Sequence, residues 1–308
     1  MSLVSLLQTT LLLGLISSLT VLALYVSYTC LNVCDLSTDG AFTLGACVGA
    51  VVALAGHPIL SIFAAMAAAS VSGFITAFLQ TKLNINSLLA GIVVNTGLFS
   101  INIAIMGNTS LLNLNKTKTI FTMVKDLLKG TAFEEAYAVI IALVFVVIAI
   151  ICIVLFMKTR LGLAIRATGD NPRMVQSSSI NPHMTTIVGL CFSNAFTGLS
   201  GCLLAQSQKG VNIDIGVGMV TVALASLLIG NTIIRKNSSI LKPVSAVLGA
   251  VIFRLVYTIA LRLHMQAYML RLISSVIVVI ALAGPYIVST LTGSAGKKIK
   301  NRRRKEDA

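Results

Sequence analysis

Nine stretches of roughly 17 to 25 apolar residues follow one another along this chain, near 4–27, 41–56, 58–80, 86–106, 136–157, 184–207, 217–234, 244–261 and 267–291. No other feature restricts the fold so strongly, because backbone placed in lipid has to satisfy its own hydrogen bonds, as a helix does. Composition agrees. The 308 residues have a mean hydropathy of +0.96, 10% charged residues and no Trp, whereas about a quarter of an ordinary soluble domain is charged. The expected fold is all-α: a polytopic membrane helix bundle of about nine spans in one transmembrane domain over 1–291, with a basic tail at 292–308. The opening run has no basic n-region and no small-residue cleavage site behind it, so a retained span is expected there.

The formal charge of +14 raises the question of nucleic acid, but seven of the 23 basic residues lie in the closing KKIKNRRRKEDA. A basic run directly after a span follows the positive-inside rule and suits anionic lipid, so no nucleic-acid partner is expected. With that tail in the cytoplasm, 158–183 and 235–243 are expected inside, where Lys158, Arg160, Arg166, Arg173, Arg235, Lys236 and Lys242 fall. Nine spans then place the N-terminus outside. The six cysteines lie mostly within apolar runs and read as small packing residues, with no metal site among them.

The chain carries no motor of its own. Its nearest approach to a phosphate loop, GSAGKK at 293–298, has too few residues between its glycines and no Ser or Thr after the lysine. His57, His183 and His264 show no HExxH spacing, so no catalytic residues and no bound cofactor are expected.

Several polar pieces interrupt the apolar pattern. LAIRATGDNPRMVQSSSINP at 163–182 offers Asp170 and Asn171 as caps and Pro172 at a first helical position, which predicts a short helix over 172–179. A capped amphiphilic helix facing the cytoplasm, in a chain without a motor, suits reception of force from another protein; Met174 and Val175 would supply its apolar contact.

Residues 31–40, with Asn32, Asp35, Ser37, Thr38, Asp39 and Gly40, are too polar for lipid. They are expected either to form a surface loop or to break a helix beside a watery route, with a free helix N-terminus from Ala41 offered to a carboxylate. NIDIGVG at 212–218 repeats the theme with Asp214, Gly216 and Gly218, which suggests an inverted repeat whose two acidic segments start on opposite sides. Arg254, deep in an apolar run, needs acceptors or a pathway role, and Asn95, Asn102 and Asn194 suit interhelical bonds or pathway lining. In the loop 107–135, Ile120, Phe121, Val124, Leu127 and Leu128 share one helical face. Lys118, Lys125, Asp126 and Lys129 share the other, which predicts a helix lying on lipid or a landing surface for a partner.

GLAIRATGDNPRMVQSSSIN (162–181) resembles the cytoplasmic coupling segment of permeases from ATP-binding-cassette importers of the branched-chain amino acid and ribose type. CDLSTDGAFTLGACVGA (34–50) resembles their early broken membrane segment, and NIDIGVGMVTVALASLLIGN (212–231) its second-half counterpart. LGAVIFRLVYTIALRLHM (248–265) and LRLISSVIVVIALAGP (270–285) are most similar to the tryptophan/tyrosine permeases of that superfamily, although Met269 stands where that subgroup carries an acid.

The resemblance implies a permease subunit in a bacterial cytoplasmic membrane, importing an amino acid, with an aromatic one expected. It implies two ATPase subunits that hold ATP and Mg, an extracytoplasmic binding protein and a second permease copy. Coupling is then expected of Arg166, Thr168, Gly169, Asp170, Asn171, Pro172 and Arg173. The translocation pathway is expected along Ser37, Thr38, Asp39, Gly40, Asn95, Asp214, Gly216, Gly218 and Arg254. A sugar or nucleoside importer and a self-contained carrier are the alternatives.

Overall fold

A computed structural model describes residues 3–127, 136–234 and 241–262, with single residues at 272, 275, 276, 279 and 283. Apart from those single residues the ninth expected span lies outside the described residues, as do the basic tail, Arg235, Lys236, Met269, Leu128 and Lys129. The architecture is a helix bundle with one short β-ribbon. Six described helices are long and apolar enough to cross a membrane: Leu6–Cys30, Leu60–Lys82, Ser87–Ile105, Tyr137–Lys158, Pro182–Gln208 and Leu241–Ala260. Two of the expected spans, near 41–56 and 217–234, are instead the shorter helices Thr38–Leu54 and Met219–Ile233.

In chain order, α1 (Leu3–Leu24) widens into a π-helical turn (Tyr25–Cys30), and α2 (Thr38–Leu54), α3 (Leu60–Lys82) and α4 (Ser87–Ile105) follow. Next come β1 (Leu111–Asn113), α5 (Ile120–Leu127), α6 (Tyr137–Lys158), α7 (Arg160–Asp170), α8 (Pro172–Ser177) and α9 (Pro182–Gln208). The last are β2 (Gly210–Asn212), α10 (Met219–Ile233) and α11 (Leu241–Arg262).

Helices α1 and α9 form the centre, and their sequences show why. α9 carries Gly189, Gly198 and Gly201, and at the last two a Cβ would run into the carbonyls of Ala65 and Phe42 on the flanking helices α3 and α2. Backbone therefore lies against backbone on both sides of α9, the close approach that small residues permit. Polar side chains fasten the same core: Ser193 and Ser200 of α9 donate to the carbonyls of Ala23 and Ile16 on α1, both at 2.7 Å. α6 is apolar all round, yet it has two faces. Ala142, Val146, Ala149 and Ile153 are buried, whereas Leu143, Val147, Ile151 and Leu155 face outward, as a helix at the lipid boundary requires.

The ribbon pairs β1 with β2 antiparallel, Leu112 opposite Val211, and caps one end of the bundle. Helix α5 differs from the expectation of a helix lying on lipid. Its apolar face packs on the protein itself: Ile120 and Phe121 are buried in the main core with Ile141 and Ala142, and the Ile120 amide donates to the buried Gln206 at 2.9 Å. Burial against α6 and α9 satisfies that face, and Lys118, Met123 and Lys125 are left exposed on the other.

Candidate functional site

Two short helices begin inside the bundle and meet head to head. The head of α2 lies among interior residues of its neighbours, Thr76 of α3, Asn95 of α4 and Asn194 of α9. From there α2 runs toward the ribbon, where Ala50 and Ala53 pack with Leu114 and Val211. α10 starts beside the same point and runs the opposite way, until Gly230 packs against the Ser245 carbonyl in the first turns of α11. Thr10 near the start of α1 bonds Thr258 late in α11, so α11 begins at the end where α1 finishes, which is also the end of α7 and α8.

A carboxylate of the chain's own lies at each head. At α2, Asp35 is buried and Oδ1 accepts from the Ser37 amide (2.8 Å) and hydroxyl (2.6 Å), while Oδ2 accepts from Asn194 Nδ2 (2.8 Å). Thr76 donates to Ser37 at 3.0 Å and extends this knot into α3. At α10, the amides of Gly218 and Val220 donate to Asp39 Oδ2 (3.0 Å) and Oδ1 (2.8 Å). An acid at a helix N-terminus meets unpaired amides and the positive end of the helix dipole, which offsets the cost of burying it. A negative charge thus already lies at the helix start expected before Ala41, and a second carboxylate arriving there would meet Asp35.

Glycine at 216 makes the crossing possible, since a Cβ there would meet the Asp39 carbonyl and the Thr43 hydroxyl. Gly218 has φ +86°, a left-handed conformation that glycine adopts without strain. Together they let the first half of the chain cap a helix of the second. This corrects the pairing of Asp39 with Asp214 on opposite sides: Asp214 is exposed in the turn after the ribbon, with its amide bonded to Asn212. The equivalent of Asp39 at the other head is Asp35. The Asp35-Leu-Ser37 spacing, an Asx-turn pattern ahead of an apolar helix, was the signal that could have found it.

Beside the crossing lies a cavity of about 390 Å³. Asp39, Gly40 and Thr43 of α2 form one wall and Asn95, Phe99 and Asn102 of α4 another, with Ile213 and Val217 closing it from the ribbon side. Of the expected pathway residues, Asp39, Gly40 and Asn95 line this space. Gly216 and Gly218 shape it from behind, whereas Ser37 and Thr38 are buried in the capping knot and do not line it. Asp214 and Arg254 are not brought to it: Arg254 lies on α11 against Gly14 of α1, with its guanidinium 4.9 Å from the Tyr257 ring centroid. That ring contact supplies a partner to a cation inside an apolar helix.

The segment 163–182 forms two helices where one was expected. Thr159 caps α7, and Asn171, not Asp170, caps α8 by accepting from the amides of Arg173 (3.1 Å) and Met174 (3.2 Å), with Pro172 in the first turn. Asn181 and Pro182 end the segment by opening α9. Arg173 and Met174 point outward, but Val175 is buried and is unavailable as a docking surface. Thr168 bonds Thr185 of α9 at 2.8 Å. Gly169 faces the end of α1, where a Cβ would strike the Cys30 carbonyl and Leu31. The outward-facing α8 is thus connected through α7 to the residues that lead into the α2 head.

Removing the Asp35 carboxylate tests the capping knot. Asp35→Ala orphans the Ser37 amide and one donor of Asn194, at about 1–3 kcal/mol for each buried group left without a partner. The expected result is a clear fall in the melting temperature of the purified protein, with Asn194→Leu, which takes away a donor but leaves the carboxylate its Ser37 bonds, falling less.

Residues 6–282 match the family described as branched-chain amino acid transport system / permease component. The chain is 33% identical over 271 residues to a tyrosine transport system permease protein of Clostridioides difficile, covering 88% of each chain. It is 30% identical over 269 residues to an uncharacterized protein of Rickettsia prowazekii, covering 85% of this chain and 91% of that one. A nucleoside ABC transporter permease protein of Lactococcus lactis is 27% identical over 116 residues, 37% of this chain and 34% of the other. No solved structure matches the chain.

Proposed function

The chain belongs to the family of branched-chain amino acid transport system permease components, and on that premise we propose that it is the membrane-spanning subunit of an ATP-driven importer for a tyrosine-like aromatic amino acid. The multi-pass membrane protein makes and breaks no bond. Substrate delivered by an external binding protein passes through the cavity where α2 and α10 cross, in a dimer of two permease copies. Separate ATPase subunits, which hold ATP and Mg, dock on α8 and drive the change of access. The ribbon end faces outward, and α7 and α8 face the cytoplasm with the basic tail.

One observation carries this reading: the exposed, capped α8 reaches the cavity through a continuous set of contacts. Gly169 sits against Cys30 and Leu31, the next residues form the Asp35 cap of α2, and Asp39 in the first turn of α2 holds the head of α10. Motion of α8 and α7 therefore shifts the two heads that border the cavity. Arg166, Asp170 and Arg173 orient the docking partner, with Met174 as its apolar contact. Substrate choice rests on the similarity to the tyrosine transport system permease protein of C. difficile.

The test is uptake of labelled tyrosine into vesicles that contain the permease with an ATPase subunit and a binding protein from the same organism. ATP-dependent accumulation that is lost without the ATPase is the expected result. Uptake of uridine or ribose in place of tyrosine would transfer the reading to the nucleoside or sugar class. Accumulation by the permease alone would make it a self-contained carrier.

A further inference from the structure

We propose that the cavity at the crossing carries an ammonium-recognising pole, built from Asn102 Oδ1 and the Asp39 carboxylate, which admits substrates bearing a primary amine. The inference rests on the cavity being the translocation route and names the group on the substrate that the route reads.

Asn102 is 1% exposed, and its Nδ2 lies 3.4 Å from the Gly40 carbonyl. This long bond still fixes the amide, because the reversed orientation would set two acceptors face to face. Oδ1 is thereby left as an acceptor, and among the described residues nothing donates to it. Buried carbonyls without a donor are rare in folded proteins and costly to keep. A donor held in the cavity that Asn102 lines would answer this one.

The carboxylate and the two threonines of the cavity have the same sense, and Asn95 and Ser100 complete its polar lining. The Asp39 carboxylate accepts backbone amides at the head of α10 and, with about four acceptor positions on its two oxygens, keeps lone-pair capacity. Thr43 gives its proton to the Asp39 carbonyl at 3.1 Å, and Thr96 gives its own to the Ile92 carbonyl at 2.8 Å. Among the described residues no Lys, Arg or His lines the space, and Asp39 is the one charged residue of that lining. The pole accepts and carries negative charge, while Phe99, Ile213 and Val217 offer apolar surface around it. A primary ammonium brings three donors and the complementary charge. The group next to it is then apolar or aromatic, and a substrate carboxylate is directed away from the two acid-capped helix heads.

The test uses the permease–ATPase complex in lipid nanodiscs without the binding protein, so that selectivity is read on this chain alone. Saturable binding of labelled tyramine, which keeps the amine and lacks the carboxylate, is measured together with its displacement by unlabelled tyramine and by 3-(4-hydroxyphenyl)propionate, which lacks the amine. The amine-free acid is expected to compete at least about tenfold more weakly, the worth of a charge-assisted hydrogen bond. Asn102→Leu should erase the preference and Asn102→Asp should enlarge it. The second variant decides the matter where the first fails to fold. Absence of saturable tyramine binding, equal competition by the two probes, or a preference unchanged in Asn102→Asp would overturn the pole, even with ATP-driven tyrosine uptake intact. Failed tyrosine uptake alongside selective tyramine binding would refute the importer reading and leave the pole standing.

Discussion

Gly201→Leu is expected to remove the folded protein from the membrane. A side chain at 201 would enter the space held by the Phe42 carbonyl and the Ala46 amide of α2, and these are backbone atoms of a packed helix that no rotamer change can move aside. α2 and α9 would have to separate along their whole contact. That contact includes Gly45 against Gly198 and Gly49 against Cys202, and α3 closes on the other side of Gly198 through Ala65 and Ala69. Ordinary overpacking costs about 1–3 kcal/mol; a wedge between two backbones lies at or above the top of that range. Where close packing is the main attraction between helices in lipid, little is left to offset it. Size-exclusion of a fluorescently tagged protein should show aggregate in place of the monodisperse peak. Cys152→Leu, on an exposed position of α6, should leave the peak unchanged. A normal peak and melting temperature for Gly201→Leu would mean that α2 does not approach α9 as described.

The second large effect is expected at Gly169, and there folding and function should part. Gly169 lies at the end of the bundle, where α7 rests on the Cys30 carbonyl and Leu31, outside the packed centre formed by α1, α2, α3 and α9. A leucine there lifts α7 from the end of α1 and disturbs only the small cluster of Leu31, Ile165, Leu190 and Ala77, leaving the main core closed, so expression and the size-exclusion profile should persist. In the proposed importer the same substitution breaks the path from the ATPase to the Asp35 cap. ATP-driven uptake, and stimulation of ATP hydrolysis by loaded binding protein, should fall on the order of tenfold, the upper part of the range for residues that carry coupling without touching either ligand. Asp170→Ala alters an exposed side chain one residue away and should have a smaller effect. Equal, wild-type uptake in both variants would separate α7 from coupling and require another route into the α2 head.

Length and hydropathy alone determined that the chain is a membrane helix bundle, because a run of some twenty apolar residues has few stable states outside lipid or a large core. Local chemistry determined the small pieces too. Asn171 with Pro172, and Asn181 with Pro182, announce helix starts through interactions that span only three residues, and both starts stand where those residues do. The polar 31–40 stretch was legible as a break for a similar reason, since its side chains have no place in lipid.

What sequence could not decide was which group answers which. Asp39 and Asp214 look alike on paper, each an acid ahead of small residues and an apolar helix, yet one caps a helix nearly two hundred positions away and the other faces solvent. The choice depends on whether a partner amide lies within about 3 Å, and that was set by backbone approach at Gly216, a contact between segments with no local signature. Asn102, set beside Arg254, shows the same limit. Both are polar residues inside apolar runs; Arg254 meets the ring of Tyr257 three residues on along its own helix, but only the packing of α4 on α2 sent Asn102, with an unanswered carbonyl, to the wall of the cavity. Periodicity specifies which face of a helix is buried; what that face meets is a property of the assembled bundle, because the energy of a buried polar group lies almost entirely in its partner.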